Sequence, residues 1–127
     1  MLRPGGLVVD IQPAAAYEPR LAVAWNGARR EIGAFRRTPD ADVVAAHRAR
    51  RDAVAAGWFD VVTQTRRVWR ARYRGLAEVR WLLRQNANWT LDESVQRRLS
   101  TALRHAPAGG WIEVTRVFSL AILRRRR

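Results

Sequence analysis

The sequence has no cysteine, so disulfide scaffolds and thiolate metal sites are excluded. Lysine is missing as well, and all 24 basic residues are arginine. Histidine occurs only at His47 and His105, far apart and outside any recognisable metal motif. Long apolar runs are also lacking. The longest, residues 117–123, falls far short of the roughly 20 residues that a membrane helix needs. The N-terminus has no signal-peptide pattern, because its short apolar run is followed at once by Asp10. These absences predict a cytoplasmic chain with no membrane partner. No Gly-rich loop follows a strand and opens a helix with dinucleotide or P-loop spacing, and no Gly-x-Ser-x-Gly elbow occurs.

What is present suits a packed domain. Hydrophobic residues make up 48% of the chain and there are 6 Trp, enough to build a core and to exclude wholesale disorder. A formal charge of +13 invites a nucleic-acid reading. Arginine to the exclusion of lysine, with abundant alanine, instead matches the coding bias of a genome rich in G and C. The charge is therefore discounted as a sign of a nucleic-acid partner, and residues 124–127 are read as a solvated terminus.

Along the chain, Leu2-Arg3-Pro4-Gly5-Gly6 reads as a turn. Residues 7–11 follow as a short strand closed by Pro13, and its unbroken Leu7-Val8-Val9 predicts burial on both faces. Asn26-Gly27 between the apolar alternation of Leu21, Val23 and Trp25 and the arm of Ile32, Ala34 and Phe35 predicts a β-hairpin outside the main sheet. Thr38-Pro39 predicts a helix start, with Thr38 as N-cap, and Gly57 its stop. Val43, His47 and Val54 lie near one face of that helix, with His47 read as a partly buried structural residue. Residues 58–73 form a long strand pattern, in which Trp69 to Tyr73 alternate between apolar and basic. Two helices follow, over residues 76–85 and after the capping-box sequence Thr90-Leu91-Asp92-Glu93; the second carries Val95, Leu99 and Leu103 on one face. After Ala108-Gly109-Gly110 comes a last strand, residues 111–124. Its segment 117–123 is apolar on both faces, as in the middle of a sheet.

The segment Leu2-Arg3-Pro4-Gly5-Gly6-Leu7-Val8-Val9-Asp10-Ile11-Gln12-Pro13 resembles the turn into the fifth strand of class I S-adenosylmethionine-dependent methyltransferases of the type 11-like group. The order of helix, sixth strand and seventh strand in that family is similar to residues 38–56, 58–73 and 111–123, and Ala55-Ala56-Gly57-Trp58-Phe59 looks like its approach to the sixth strand. The resemblance covers essentially the whole chain. It implies an α/β fold: the C-terminal portion of a seven-stranded Rossmann-like sheet, with the seventh strand antiparallel between the fifth and sixth. Residues 1–127 would then be one partial domain, carrying a hairpin insertion over about 21–35 and a helical insertion over about 76–105. The family's cofactor-binding segments have no counterpart here. S-adenosylmethionine is thus the cofactor of the complete enzyme and is not expected to bind tightly to this chain alone.

The same resemblance implies a substrate-side fragment acting on a small-molecule acceptor and inactive by itself. Ligands of open α/β sheets bind beyond the carboxyl ends of the strands. This makes Asp10, Gln12 and Tyr17 the candidate substrate-binding residues, with Trp25 in the hairpin and Tyr73 beyond the sixth strand; no catalytic residue and no metal ligand is assigned. The expected partners are a second copy of the chain or a separate chain supplying the N-terminal half. Two alternatives stand beside this reading: a small basic RNA- or nucleic-acid-binding module, and a non-catalytic partner of a cofactor-binding chain.

Overall fold

The computed structural model describes residues 2–14, 16–38 and 40–127. Among them the order of elements is β1 (Leu7–Pro13), β2 (Arg20–Trp25), β3 (Ala28–Ala34), β4 (Arg36–Arg37), α1 (Ala41–Ala55), β5 (Phe59–Tyr73), α2 (Leu76–Gln85), β6 (Trp89–Thr90), α3 (Glu93–His105) and β7 (Trp111–Arg125). The fold is mixed α/β, and every pairing with a defined register is antiparallel. Strands pair in the order β1-β7-β2-β3, β5 also pairs with β7, and β4 pairs with β6. No helix among the described residues is long and apolar enough to cross a membrane.

The chain divides into two compact units. The first holds the described residues of 1–16, 39–68 and 117–127. There β1 pairs with the C-terminal stretch of β7, from Leu7 opposite Arg124 to Pro13 opposite Phe118. The β-turn before β1 is closed by the Gly6 N–H donating to Arg3 O at 2.9 Å. Helix α1 ends in a Schellman motif: the Gly57 N–H donates to Val54 O at 3.0 Å and the Trp58 N–H to Ala53 O at 3.1 Å. Gly57 has φ +78, which a side chain would strain.

The second unit holds residues 17–38 and 69–116, and so gathers the hairpin and the helical segment that the family resemblance treats as insertions. It has its own core. Leu21, Val23, Ile32 and Phe35 from the hairpin side pack with Val79, Leu82, Trp89, Val95 and Leu99 from the helical segment and with Ile112 and Val114 of β7. The hairpin turn is as the Asn-Gly pair requires, with Asn26 at φ 36 and Gly27 at φ 79. In α3, Val95 and Leu99 are buried and Leu103 packs against the same cluster.

Four sequence expectations need correction. The hairpin is not outside the sheet: β2 pairs with β7 from Arg20 opposite Thr115 to Ala24 opposite Trp111, because β7 is long enough to accept β1 and β2 along successive stretches. β1 is not buried on both faces: Leu7, Val9 and Ile11 are 53%, 59% and 60% exposed. It ends the sheet order, and the apolar run carries no signal about what covers either face. The helix caps also differ. Asp40 caps α1, accepting from the Asp42 N–H at 2.8 Å, whereas Thr38 donates to and receives bonds from Asn88; Pro39 lies outside the described residues. At α3, Thr90 is drawn into β6 and no capping box forms; Asp92 holds the cap position while its carboxylate accepts from Arg36 at 2.9 Å. Finally, residues 124–127 are more than a solvated tail, since Arg124 and Arg125 extend β7 and Arg126 pairs with Asp60. β7 itself has the central place its pattern predicts, pairing with β1, β2 and β5.

Candidate functional site

In a strand, alternate side chains share a face, so Val8, Asp10 and Gln12 point away from Leu7, Val9 and Ile11. Asp10 and Gln12 meet α1, whose His47 and Arg50 are three residues apart and therefore neighbours on the helix surface. Register places Ser119 of β7 opposite Gln12. The result is one polar network. Arg50 donates from Nη1 to Asp10 Oδ2 at 2.9 Å and from Nη2 to Ser119 Oγ at 3.2 Å. Gln12 Nε2 donates to both Asp10 oxygens, at 2.9 and 2.8 Å. His47 Nε2 lies 3.0 Å from Pro13 O. A carbonyl only accepts, so Nε2 carries the proton and Nδ1 is left to accept from Arg50 Nη2 at 3.4 Å.

This arrangement holds α1 on β1, and it constrains the chemistry available. The Asp10 carboxylate is committed to an arginine and an amide, and both ring nitrogens of His47 are engaged, so neither is poised as a general base. Gln12 and Ser119 are buried. Gln12 Oε1 is the one acceptor of the cluster without a hydrogen-bond partner among the described residues. Flipping the amide would turn that oxygen on the Asp10 carboxylate, so the donor side is held toward the charge.

Tyr17, Trp25 and Tyr73 fall in the second unit. Tyr17 is exposed, whereas Trp25 and Tyr73 are partly buried against the core. The structure therefore brings Asp10 and Gln12 together and places the other three candidates elsewhere. Near Tyr73 the second unit carries Arg116, whose guanidinium lies 4.3 Å over the Trp89 ring and donates to Asn86 Oδ1 at 3.2 Å. Burial lowers the Arg116 pKa, the Tyr73 hydroxyl works against that, and Arg37 adds to it. The basic face read from the Trp69–Tyr73 alternation is turned on β7: Arg72 stacks 4.1 Å from the centre of the Trp111 ring, and Arg70 lies 3.8 Å from the Glu113 carboxylate. Glu113 also accepts from Arg29 at 2.8 Å. Despite the desolvation, the Arg29 pKa is raised by Glu113 and Glu31.

Sequence reasoning missed Arg50, Ser119 and Arg116. Arg50 could have been found from its spacing to His47 on the helix after β1, facing the strand that carries Asp10. Ser119 and Arg116 carry no local signal, since their partners come from the register of β7. Among the described residues no group of three or more His, Asp or Glu side chains could hold a metal ion. No protein-family model, no curated protein and no solved structure matches the chain.

Proposed function

We propose that the chain is the acceptor-side portion of a class I S-adenosylmethionine-dependent methyltransferase acting on a small molecule. The cofactor-binding part would come from polypeptide outside these 127 residues, in the same chain or a separate one. The observation that carries this reading is the strand arrangement around β7. The strand that follows the Pro-Gly-Gly turn pairs antiparallel with β7, and the strand that follows α1 pairs with β7 as well. Trp58 and Asp60 neighbour Arg126, whereas Arg70 and Arg72 neighbour Glu113 and Trp111, so β5 also runs antiparallel to β7. The resemblance implies this order, fifth-seventh-sixth, with the seventh strand reversed.

Two further features support it. The two segments that depart from the family pattern collect into a unit with its own core, which suits a role in shaping an acceptor pocket. β1 ends the strand order, where a fourth strand would add in the family sheet, and its apolar face is exposed, where the family's helices would cover the sheet.

The residues present do not fit S-adenosylmethionine. Of the polar side chains nearest the carboxyl end of β1, Asp10 is spent on Arg50 and Gln12, and the Gln12 amide is spent on Asp10; no Gly-rich strand-to-helix loop occurs in the sequence. No chemical step is assigned to this chain alone. The test is calorimetric titration with S-adenosylmethionine of the 127-residue chain and of the longest reading frame or co-expressed pair that contains it. Binding by the longer form alone is expected. Low-micromolar binding by the 127 residues alone, or no binding by any longer form, would overturn the reading.

A further inference from the structure

The end of β7 and the start of β5 flank an open, solvent-facing cavity of about 580 Å³ in the first unit, lined by Trp58, Phe59, Arg125, Arg126 and Arg127 together with Gly57 and Leu2. Main-chain bonds fix its walls. The Schellman turn sets the path into Trp58, and the Arg126 N–H donates to Trp58 O at 3.0 Å. Arg125 exchanges bonds with the Pro-Gly-Gly turn: its O accepts from the Gly5 N–H and its N–H donates to Gly6 O, both at 2.9 Å. The Arg125 guanidinium also donates to Leu2 O.

Two properties of the cavity select the same ligand chemistry. Trp58 is 67% exposed. An indole that large is ordinarily worth burying, and an accessible one beside a pocket is available to stack on a planar ligand. Three arginines, Arg125, Arg126 and Arg127, line it, and Arg126 pairs with the Asp60 carboxylate at 2.5 Å. Asp60 is held below the usual carboxylate range by that hydrogen bond and by the charges of Arg126 and Arg124, so it stays an anion and orients Arg126. Arginines thus outnumber acidic side chains in the lining, on a chain whose net charge is +13. An inorganic anion would leave the indole bare, and a neutral ring would leave the arginines unmatched. The volume suits a small-molecule ligand, for which sites of roughly 300–1,000 Å³ are usual.

We infer that this cavity binds a nucleotide unit, the base stacked on Trp58 and the phosphate held by the arginines at the end of β7. The inference does not depend on the methyltransferase reading. The same chemistry is offered by a free mononucleotide and by one unit of a single strand, in which aromatic stacking and a basic groove act together.

The test titrates the full chain, at low salt, with adenosine monophosphate, with a 12-nucleotide oligothymidylate and with inorganic phosphate. At least one nucleotide probe should bind, and phosphate alone more weakly. Binding of the mononucleotide identifies a free ligand; binding of the oligonucleotide only identifies a single strand. Trp58→Ala should weaken nucleotide binding about tenfold, and Trp58→Phe, which keeps a stacking ring, should restore most of it. The control Arg97→Ala/Arg104→Ala removes two exposed charges from α3 and should cost no more than about twofold. Circular dichroism of each variant establishes that it is folded, and the Phe variant decides the matter if the Ala variant is not. Failure of both nucleotide probes to bind, phosphate binding as tightly as the nucleotide probe that does bind, or a Trp58→Ala loss no greater than that of the α3 control would each overturn the inference.

Discussion

Arg50 of α1 reaches Asp10 of β1 at 2.9 Å, and the two side chains are largely removed from solvent. A pair in such a position is worth little over an apolar replacement, but removing one member strands the other. Arg50→Met should therefore destabilise the chain by about 3 kcal/mol, and the double variant Arg50→Met/Asp10→Asn should recover part of that loss. Urea unfolding of the three proteins measures both values. Equal stability of wild type and Arg50→Met would show that α1 is held by something else.

The second unit carries the compact apolar core, and its side chains should be the sensitive ones. Leu99 is fully buried, so Leu99→Ala is expected to lower stability by about 2–5 kcal/mol. Val9 is largely exposed, and Val9→Thr should change stability by less than about 0.5 kcal/mol. The contrast is read from paired denaturation curves, and a loss at Val9 as large as that at Leu99 would contradict it.

The hairpin turn isolates a backbone effect. Gly27 has φ +79, and a Cβ there would meet nothing within 4 Å. Gly27→Ala should cost about 1 kcal/mol through backbone strain alone, with no change of fold. Thermal unfolding measures the loss, and a neutral substitution would mean that the turn relaxes.

β1 ends the strand order and exposes Leu7, Val9 and Ile11 together. Such an edge templates association, and burying a few hundred Å² of it would contribute on the order of several kcal/mol. Charge repulsion at +13 opposes this and weakens as salt is added. Sedimentation velocity should show association growing with salt, abolished by Val9→Arg/Ile11→Arg. A monomer at every salt and concentration would count against an open edge.

Asp60 has a depressed pKa through its hydrogen bond from Arg126. A carboxylate lowered in the folded state adds stability above its unfolded pKa, and that contribution is lost as pH falls through the folded value. The wild-type minus Asp60→Asn difference in unfolding midpoint should thus be constant near neutrality and shrink in acid, below the ordinary carboxylate range. A difference that grows in acid would reverse the assignment.

The sequence by itself determined the elements whose signals are local. Asn26-Gly27 dictates a two-residue turn because only residues tolerant of positive φ can occupy it. Gly57 stops a helix for the same reason, the stripe Val95-Leu99-Leu103 selects a helical face by its period, and the run 117–123, apolar apart from Ser119, marks a strand with neighbours. Tertiary structure decided what depends on a partner distant in sequence. Whether the hairpin stands apart or joins β7, whether Leu7, Val9 and Ile11 are covered, and which acid caps α3 while bonding Arg36 are settled by pairing and packing, to which propensity contributes nothing. The candidate site divided along the same line. Asp10 and Gln12 sit two apart on one strand, so period two alone puts them on one face, whereas Arg50 and Ser119 join them only because α1 folds back on β1 and because Gln12 falls opposite Ser119 in the register of β1 with β7.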